Sequence, residues 1–167
     1  ILDDGDIFGL GGMTLEDIQR FLDSRPGILG TYRAPDTNGV TRTASEILWR
    51  VATTYQINPR YLLALLQKEQ SLVDDPNPSQ KQFDWATGYA ICDNCSMNDP
   101  RLQEFRGFAS QLEWAAKQHR EKYLMQILAR GTTIAGQAPG KTVTISGKTV
   151  TPLNNATAML YSYTPHI

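Results

Sequence analysis

The sequence predicts a mainly α-helical domain that carries one small β-hairpin. Several segments repeat apolar residues at steps of three and four, as one face of a helix does. Residues 141–151, KTVTISGKTVT, instead alternate around Ser146-Gly147, which predicts two strands and a tight turn. A chain of 167 residues is long enough to bury a sizeable core. We therefore predict a single domain over residues 1–167.

The first forty residues predict an arm, a helix and a long connection. Residues 1–12 are rich in glycine and aspartate without any period, so we expect a loosely ordered arm. Thr14 and Asp17 have the spacing of a capping box, and an apolar face through Leu22 follows before Pro26-Gly27 ends the helix. Residues 25–42 contain turn formers and predict a long connection, with a turn at 36–39.

Two adjacent helices are predicted next. Thr43 and Glu46 repeat the capping signature, and Asn58 with Pro59 marks the start of the following helix. The segment from Asp74 to Gln82 contains prolines and turn formers, so it reads as a solvated loop. Residues 83–89 are then expected to form a short helix.

The last third of the chain predicts a long helix, the hairpin and a final helix. An apolar face runs from Phe105 to Leu128, and His119 on it is interpreted as a core histidine. Trp49 and Trp114 lie on predicted helices and are interpreted as packing residues. In the hairpin, a two-residue turn pairs residue 143 with 150 and residue 144 with 149. Asn154 or Asn155 caps the final helix, which ends at residues 164–165.

Composition narrows the function classes. Apolar residues make up 41% of the chain, charged residues 20%, and the formal net charge is −1. This balance gives no overall attraction for nucleic acid or acidic membranes. No apolar run reaches the roughly 18 residues that span a bilayer. The chain starts at Ile1 rather than methionine, so we expect an excerpt of a longer protein, and we expect a monomer without a metal or cofactor.

One glutamate stands out because it prolongs an apolar helix face. The members of this face recur at helical steps in residues 58–72, NPRYLLALLQKEQSL; they are Leu62, Leu65, Leu66 and Glu69. Burial disfavours the charged form of a carboxyl, so a buried Glu69 is expected to hold its proton near neutrality. Such a group can act as a general acid. The competing interpretation is a solvated glutamate at a helix end.

Three segments resemble the lysozyme and lytic transglycosylase superfamily. LLALLQKEQS is similar to the helix that ends in Glu-Ser in these enzymes, with Gln70 inserted before Ser71. WATGYAICD occupies the place of their Gly-Leu-Met-Gln-Val-Asp segment, and LNNATAMLYSYTPHI resembles the closing segment of secreted bacterial cell-wall enzymes. The resemblance implies a lysozyme-like fold and a secreted or cell-wall-associated bacterial or phage protein. Its implied substrate is the glycan strand of peptidoglycan.

The resemblance also implies site residues. Glu69 would be the acid, as in lysozyme, where a second carboxylate in a polar setting stays ionised. Asp93 matches the aspartate of the superfamily segment and is the candidate for that second role. Sugar polymers bind by stacking on aromatic rings and by hydrogen bonds. The expected substrate contacts are Gln70, Ser71, Trp85, Tyr89 and Tyr161.

Ala90 and Ile91 depart from the superfamily pattern, because they replace its methionine and glutamine. They motivate one alternative, a lysozyme-like module that binds glycan without cleaving it. A chitinase or glucosaminidase-type hydrolase is another. A lytic transglycosylase needs one carboxyl and gives anhydro ends, whereas a hydrolase activates water. The sequence leaves this choice open.

Cys92 and Cys95 are the only cysteines of the chain. A zinc site normally needs four ligands, and neither histidine has ligand spacing to this pair. A redox pair is expected at a helix start in an α/β fold, which this sequence lacks. A short disulfide outside the cytoplasm is our prediction, and a pair of reduced structural thiols is the alternative.

Overall fold

The computed structural model describes residues 2–9, 12–91 and 96–164. Two compact units are present: a contiguous unit, Leu10–Ala116, and a split unit formed by Ile1–Gly9 and Lys117–Ile167. The single domain predicted for residues 1–167 stays a prediction. The predicted fold class is confirmed, since the chain is 54% helical with small antiparallel hairpins.

The helices of the contiguous unit are α2 (Leu15–Asp23), α3 (Ala44–Tyr55), α4 (Pro59–Gln70), α5 (Gln80–Asp84) and α6 (Phe108–Lys117, whose last residue belongs to the split unit). Two short 3-10 helices, Ile28–Gly30 and Pro100–Phe105, and the strands β1 (Arg33–Pro35) and β2 (Thr41–Thr43) complete it. The split unit contains α1 (Asp4–Phe8), a π-helical stretch (Gln118–Tyr123), α7 (Leu124–Arg130), β3 (Val143–Ile145), β4 (Lys148–Val150) and α8 (Asn155–Tyr163). No described helix has the length and apolar character needed to cross a membrane.

Three predicted helix starts in the contiguous unit are confirmed. Thr14 and Thr43 each form a complete capping box, with Asp17 and Glu46 respectively. The side chain of Asn58 caps α4 by accepting the backbone N–H of residue 60. A cap of this kind satisfies backbone donors that have no partner inside the helix, so it fixes where the helix begins.

The core of the contiguous unit lies where α3 packs against α2 and α4. The side chains that fill it are almost fully inaccessible to solvent; among them are Ile18, Leu22, Ile47, Leu48, Leu62 and Leu66. Beside this core the ring of Tyr32 stacks on Phe83 with the centroids 3.9 Å apart, and Phe108 meets Tyr32 edge-on. Burial of these apolar faces is the main force that holds the helices together.

The split unit is organised around α8, which contacts α1, α7 and the π-helical stretch. Asn154 caps α8 as predicted. His119 is fully buried and its ring lies 4.7 Å from the ring of Tyr163, so its prediction as a core residue is confirmed. In the β3–β4 hairpin, Val143 pairs with Val150 and residue 144 with 149, as predicted.

The predicted arm is wrong. Residues 4–8 form α1, which Asp3 caps through a complete capping box with Asp6. Ile7 is fully buried. The carboxylate of Asp4 accepts hydrogen bonds from the Asn155 side chain at 2.9 Å and from the backbone N–H of Ala156 at 2.7 Å. Residues 4–8 are therefore ordered by contacts with residues about 150 positions away.

Four other boundaries or placements differ from the prediction. The connection 25–42 contains the β1–β2 hairpin, in which Arg33 pairs with Thr43. The short helix is α5 and lies earlier than residues 83–89, so it shortens the predicted loop. The long helix is interrupted at Gly107, whose φ is 109° and whose N–H donates to the Asp84 carbonyl at 2.8 Å. Trp49 is 39% exposed rather than packed.

Candidate functional site

Glu69 lies in the last turn of α4, which ends at Gln70. Its side chain is 22% exposed, and its Oε1 accepts a hydrogen bond from the Lys68 ammonium group at 2.8 Å. The leucines that precede it on the same face are buried. Glu69 thus continues the apolar face as predicted, but its carboxyl is ion-paired and partly exposed rather than fully desolvated.

The other oxygen of Glu69 faces Gly88. A Cβ atom added to Gly88 would lie 3.0 Å from Glu69 Oε2, which is tighter than ordinary van der Waals contact. Gly88 also has φ of 69°, in the left-handed region that glycine adopts without strain. Two features therefore require glycine at this position: the left-handed turn, and the close approach of the backbone to the carboxyl. The segment that begins at Gly88 starts in contact with the candidate acid.

Gln111 of α6 holds the backbone on both sides of Gly88. Its side chain is fully buried. Oε1 accepts the N–H groups of Thr87 at 3.3 Å and Tyr89 at 3.1 Å, while Nε2 donates to the carbonyl of Tyr89 at 3.1 Å and of Phe105 at 2.7 Å. One side chain therefore fixes the turn that meets Glu69.

Gln111 was not predicted as a site residue, although the sequence contains a signal for it. Gln111 is three residues after Phe108 and four before Ala115, so it lies on the buried face of α6. A polar side chain on such a face must be paired, because an unpaired buried amide is costly. The same reasoning singled out Glu69 and applies equally here.

Tyr89 belongs to an aromatic cluster. Its ring stacks on Trp114 at 5.8 Å between centroids and meets Phe105 edge-on at 5.3 Å. All three rings are partly exposed, and Trp114 packs as predicted. Trp85, in contrast, is only 3% exposed. The prediction that Trp85 offers a ring face to a sugar is wrong, because its ring lies in the core.

The remaining predicted site residues lie in three places. Gln70 accepts a hydrogen bond from the Gln82 side chain through its backbone carbonyl at 2.9 Å, and exposed Ser71 ends α4 in the left-handed conformation. Tyr161 is a partly exposed residue of α8 in the split unit. The predicted second carboxylate, Asp93, and the predicted disulfide pair, Cys92 and Cys95, lie outside the described residues.

Other charged side chains in the described part of the chain form ion pairs, and the carboxylates of two of these pairs, Asp36 and Asp84, are largely buried. Within residues 2–9, 12–91 and 96–164, no group of three acidic, histidine or cysteine side chains is arranged to hold a metal ion. Asp99 illustrates the surface pairs: hydrogen bonds from the Arg101 side chain and backbone lower its pKa to about 2. Such pairs organise the surface locally and do not form a second candidate site.

The fold and the site define a mainly α-helical module with a partly exposed glutamate beside a glycine turn. The family described as LasA, N-terminal domain, matches residues 3–162, so the chain belongs to that family. No curated protein and no solved structure matches the chain.

Proposed function

We propose that the chain cleaves the glycan of bacterial peptidoglycan at the β-1,4 bond between N-acetylmuramic acid and N-acetylglucosamine. Glu69 is the general acid of this reaction. The observation that carries the proposal is the position of its carboxyl, partly exposed at the end of α4 and so close to Gly88 that an added Cβ atom would lie 3.0 Å from it. A general acid must reach the leaving-group oxygen directly, and this placement leaves the carboxyl accessible to a sugar.

Lys68 is paired with the candidate acid when no sugar is bound. Its ammonium group contacts Glu69 Oε1, and its side chain is 49% exposed. Exposed ion pairs contribute only about 0–1 kcal/mol, so a bound sugar can displace Lys68 at small cost. Displacement removes a cation from the carboxyl and shields it from water. The leaving-group oxygen of the sugar can then approach Oε1 in place of the ammonium group.

The aromatic cluster supplies a surface for the sugar chain. Tyr89 follows Gly88 directly, and it stacks on Trp114. Partly exposed rings bind the apolar faces of sugars while hydrogen bonds fix their orientation. In this proposal Tyr89 and Trp114 take the role that was predicted for Trp85, and Gln70 and Ser71 remain candidates for polar contacts at the end of α4.

Two versions of the proposed mechanism differ in whether one carboxyl group or two take part. With Glu69 alone, the carboxyl donates a proton to the leaving group and then withdraws one from the hydroxymethyl group of the sugar, which gives an anhydro end. With Asp93 as a second carboxylate, water is activated and the product has a reducing end. Replacing Asp93 by asparagine separates the two: a water-activating base contributes typically about 10²- to 10⁴-fold.

A second candidate function is glycan binding without cleavage. The ion pair between Lys68 and Glu69 favours it, because one oxygen of the candidate acid already has the Lys68 ammonium group as its partner. Ala90 and Ile91 favour it as well, since they remove polar groups that the superfamily places beside the substrate. A chitinase or glucosaminidase-type hydrolase would use the same acid on a different bond.

The test is digestion of purified peptidoglycan followed by mass spectrometry of the products. We expect muropeptides that end in N-acetylmuramic acid, in anhydro or reducing form. Glu69→Gln should abolish their release while it changes the free energy of unfolding by no more than about 0.5 kcal/mol, because the lost ion pair is at the surface. Glu113→Gln is the matched control: Glu113 is partly exposed, accepts a hydrogen bond from Tyr55 at 3.3 Å, and should be dispensable.

Three results contradict the proposal in different ways. Release of products by Glu69→Gln at most of the wild-type rate removes Glu69 as the acid. Sedimentation with peptidoglycan without any product supports the binding module. Products that end in N-acetylglucosamine support a glucosaminidase instead.

We further propose that the protein acts outside the cytoplasm, because its proposed substrate lies there. We propose as well that it is a monomer. Our prediction of a bridge between Cys92 and Cys95 belongs to the same proposal, because disulfides persist in oxidising compartments. Thiol counting on denatured, unreduced protein measures it directly.

A further inference from the structure

A cavity of about 510 Å³ opens in the contiguous unit. Phe21 of α2 lines it and is 37% exposed, whereas Leu63 and Val73 form a buried apolar floor. Ala64 also lines it. This volume lies in the range of about 300–1,000 Å³ that is typical of ligand pockets.

The cavity lies on the side of α4 opposite to Glu69. The residues of α4 that line it recur at steps of three and four; they are Arg60, Leu63, Ala64 and Gln67. Glu69 is two residues after Gln67, which turns its side chain about 200° around the helix axis. The cavity is therefore separate from the candidate catalytic site, and any ligand it binds is independent of the proposed function.

Two polar groups that line this cavity are donors without an acceptor among the described residues. In the described part of the chain, Arg60 forms no ion pair. Gln67 Oε1 already accepts the N–H groups of Val73 and Asp74, each at 3.1 Å, whereas its Nε2 has no acceptor among the described residues. The charge of Asp74 is matched by Arg25, whose Nε lies 2.8 Å from Asp74 Oδ1. A complementary ligand must supply a negative charge and a second acceptor oxygen.

The spacing of the two donors sets the length of the ligand. Arg60 and Gln67 are seven residues apart on one helix face, which is about 10.5 Å along the axis. An extended peptide covers about 3.3–3.6 Å per residue, so three residues span this distance. Between the donors α4 presents Leu63 and Ala64 to the cavity, which suits apolar side chains.

We propose that the cavity binds the apolar C-terminal end of a polypeptide in extended form. The free carboxylate pairs with Arg60, a main-chain carbonyl of the peptide accepts from Gln67 Nε2, and an apolar side chain packs against Phe21. Recognition of this kind combines charge-assisted hydrogen bonds with burial of apolar surface. A simple fatty carboxylate would satisfy Arg60 and leave Gln67 without an acceptor.

The test measures binding of three probes by calorimetry: acetyl-Leu-Val-Leu with a free carboxylate, the same peptide as a C-terminal amide, and decanoate. We expect saturable binding of the free acid, with the amide at least about tenfold weaker because a hydrogen bond to a charged group is lost. Arg60→Gln should weaken the acid to the same degree. Gln67→Glu keeps oxygen acceptors for the two backbone N–H groups but removes the donor, so it should weaken the acid as well.

Two further variants complete the design. Ala64→Phe fills the cavity from a surface-accessible helical position and should abolish binding with the thermal midpoint preserved. Arg50→Gln removes an exposed arginine of α3 that lines a different cavity, and it should bind as the wild type does.

The proposal is overturned if the free acid shows no saturable binding at millimolar concentration, or if the amide binds equally well. It is also overturned if Arg50→Gln weakens binding as much as Arg60→Gln, since the effect would then reflect total charge. Decanoate that binds as tightly as the peptide, together with no effect of Gln67→Glu, would replace the peptide ligand by a fatty carboxylate.

Discussion

Gln111→Met tests the role of the amide that holds the glycine turn. Methionine has nearly the shape of glutamine and no comparable donor or acceptor, so the change removes hydrogen bonds without leaving a large cavity. The three shortest bonds lost are those to Phe105 O at 2.7 Å, Tyr89 N at 3.1 Å and Tyr89 O at 3.1 Å. Each buried group left unpaired costs about 1–3 kcal/mol, and Thr87 Oγ1 keeps its bond to the Gln111 carbonyl. We expect a loss of about 3–4 kcal/mol in the free energy of unfolding.

Urea unfolding at neutral pH measures this loss directly. For a chain of this size, about 3 kcal/mol also lowers the thermal midpoint by roughly 6–12 °C. The matched control is Gln103→Met, because Gln103 is exposed and donates to the carbonyls of Met97 and Asp99 at the surface. That variant should stay within about 0.5 kcal/mol of the wild type. A loss below about 1 kcal/mol in Gln111→Met would refute the argument that this amide holds the turn.

Two further predictions concern Gly88 and the acidic caps. Gly88→Ala forces a side chain into the left-handed region of backbone conformation and against Glu69. We expect it to lower the free energy of unfolding by about 1–2 kcal/mol and to slow cleavage by about 10- to 100-fold. Unchanged product release would show that the close approach of Gly88 to Glu69 is irrelevant to catalysis. Hydrogen bonds from the backbone N–H of the helix N-cap residue lower the pKa of Asp17 and of Glu46. Their contribution to stability is therefore present above the ordinary carboxyl pKa values of 3.8 and 4.5 and is lost as the pH falls through the lowered values. Urea unfolding across this range should show a smaller loss in the double variant Asp17→Asn, Glu46→Gln, and an identical pH dependence would contradict the assignment.

Local signals account for the parts of the fold that the sequence predicted. A capping box such as Thr14 with Asp17 involves residues three apart, and the β3–β4 register follows from a two-residue turn. Such patterns act over a few residues and are visible in one sequence. The position of Glu69 at the end of an apolar helix was predictable for the same reason.

Contacts between distant residues account for what was missed. The first residues have no periodic pattern, and α1 is ordered by Asp4 contacts near residue 155. The break at Gly107 depends on a hydrogen bond to Asp84, and the burial of Trp85 depends on packing that propensity does not encode. Lys68 is adjacent to Glu69 in sequence, yet only the side-chain geometry shows that the two groups pair.

The contacts of α1 with the start of α8 constrain the order in which the protein folds during synthesis. Asp4 and Ala156 are separated by 152 positions, so α1 lacks these partners until residue 156 has left the ribosome. The unit Leu10–Ala116 is contiguous and needs no later residue to complete its own contacts. Because units that close long loops fold slowly and domains tend to fold as they emerge, the unit containing Glu69 is expected to form first. Until α8 has been synthesised, α1 therefore lacks the hydrogen bonds that hold it in place.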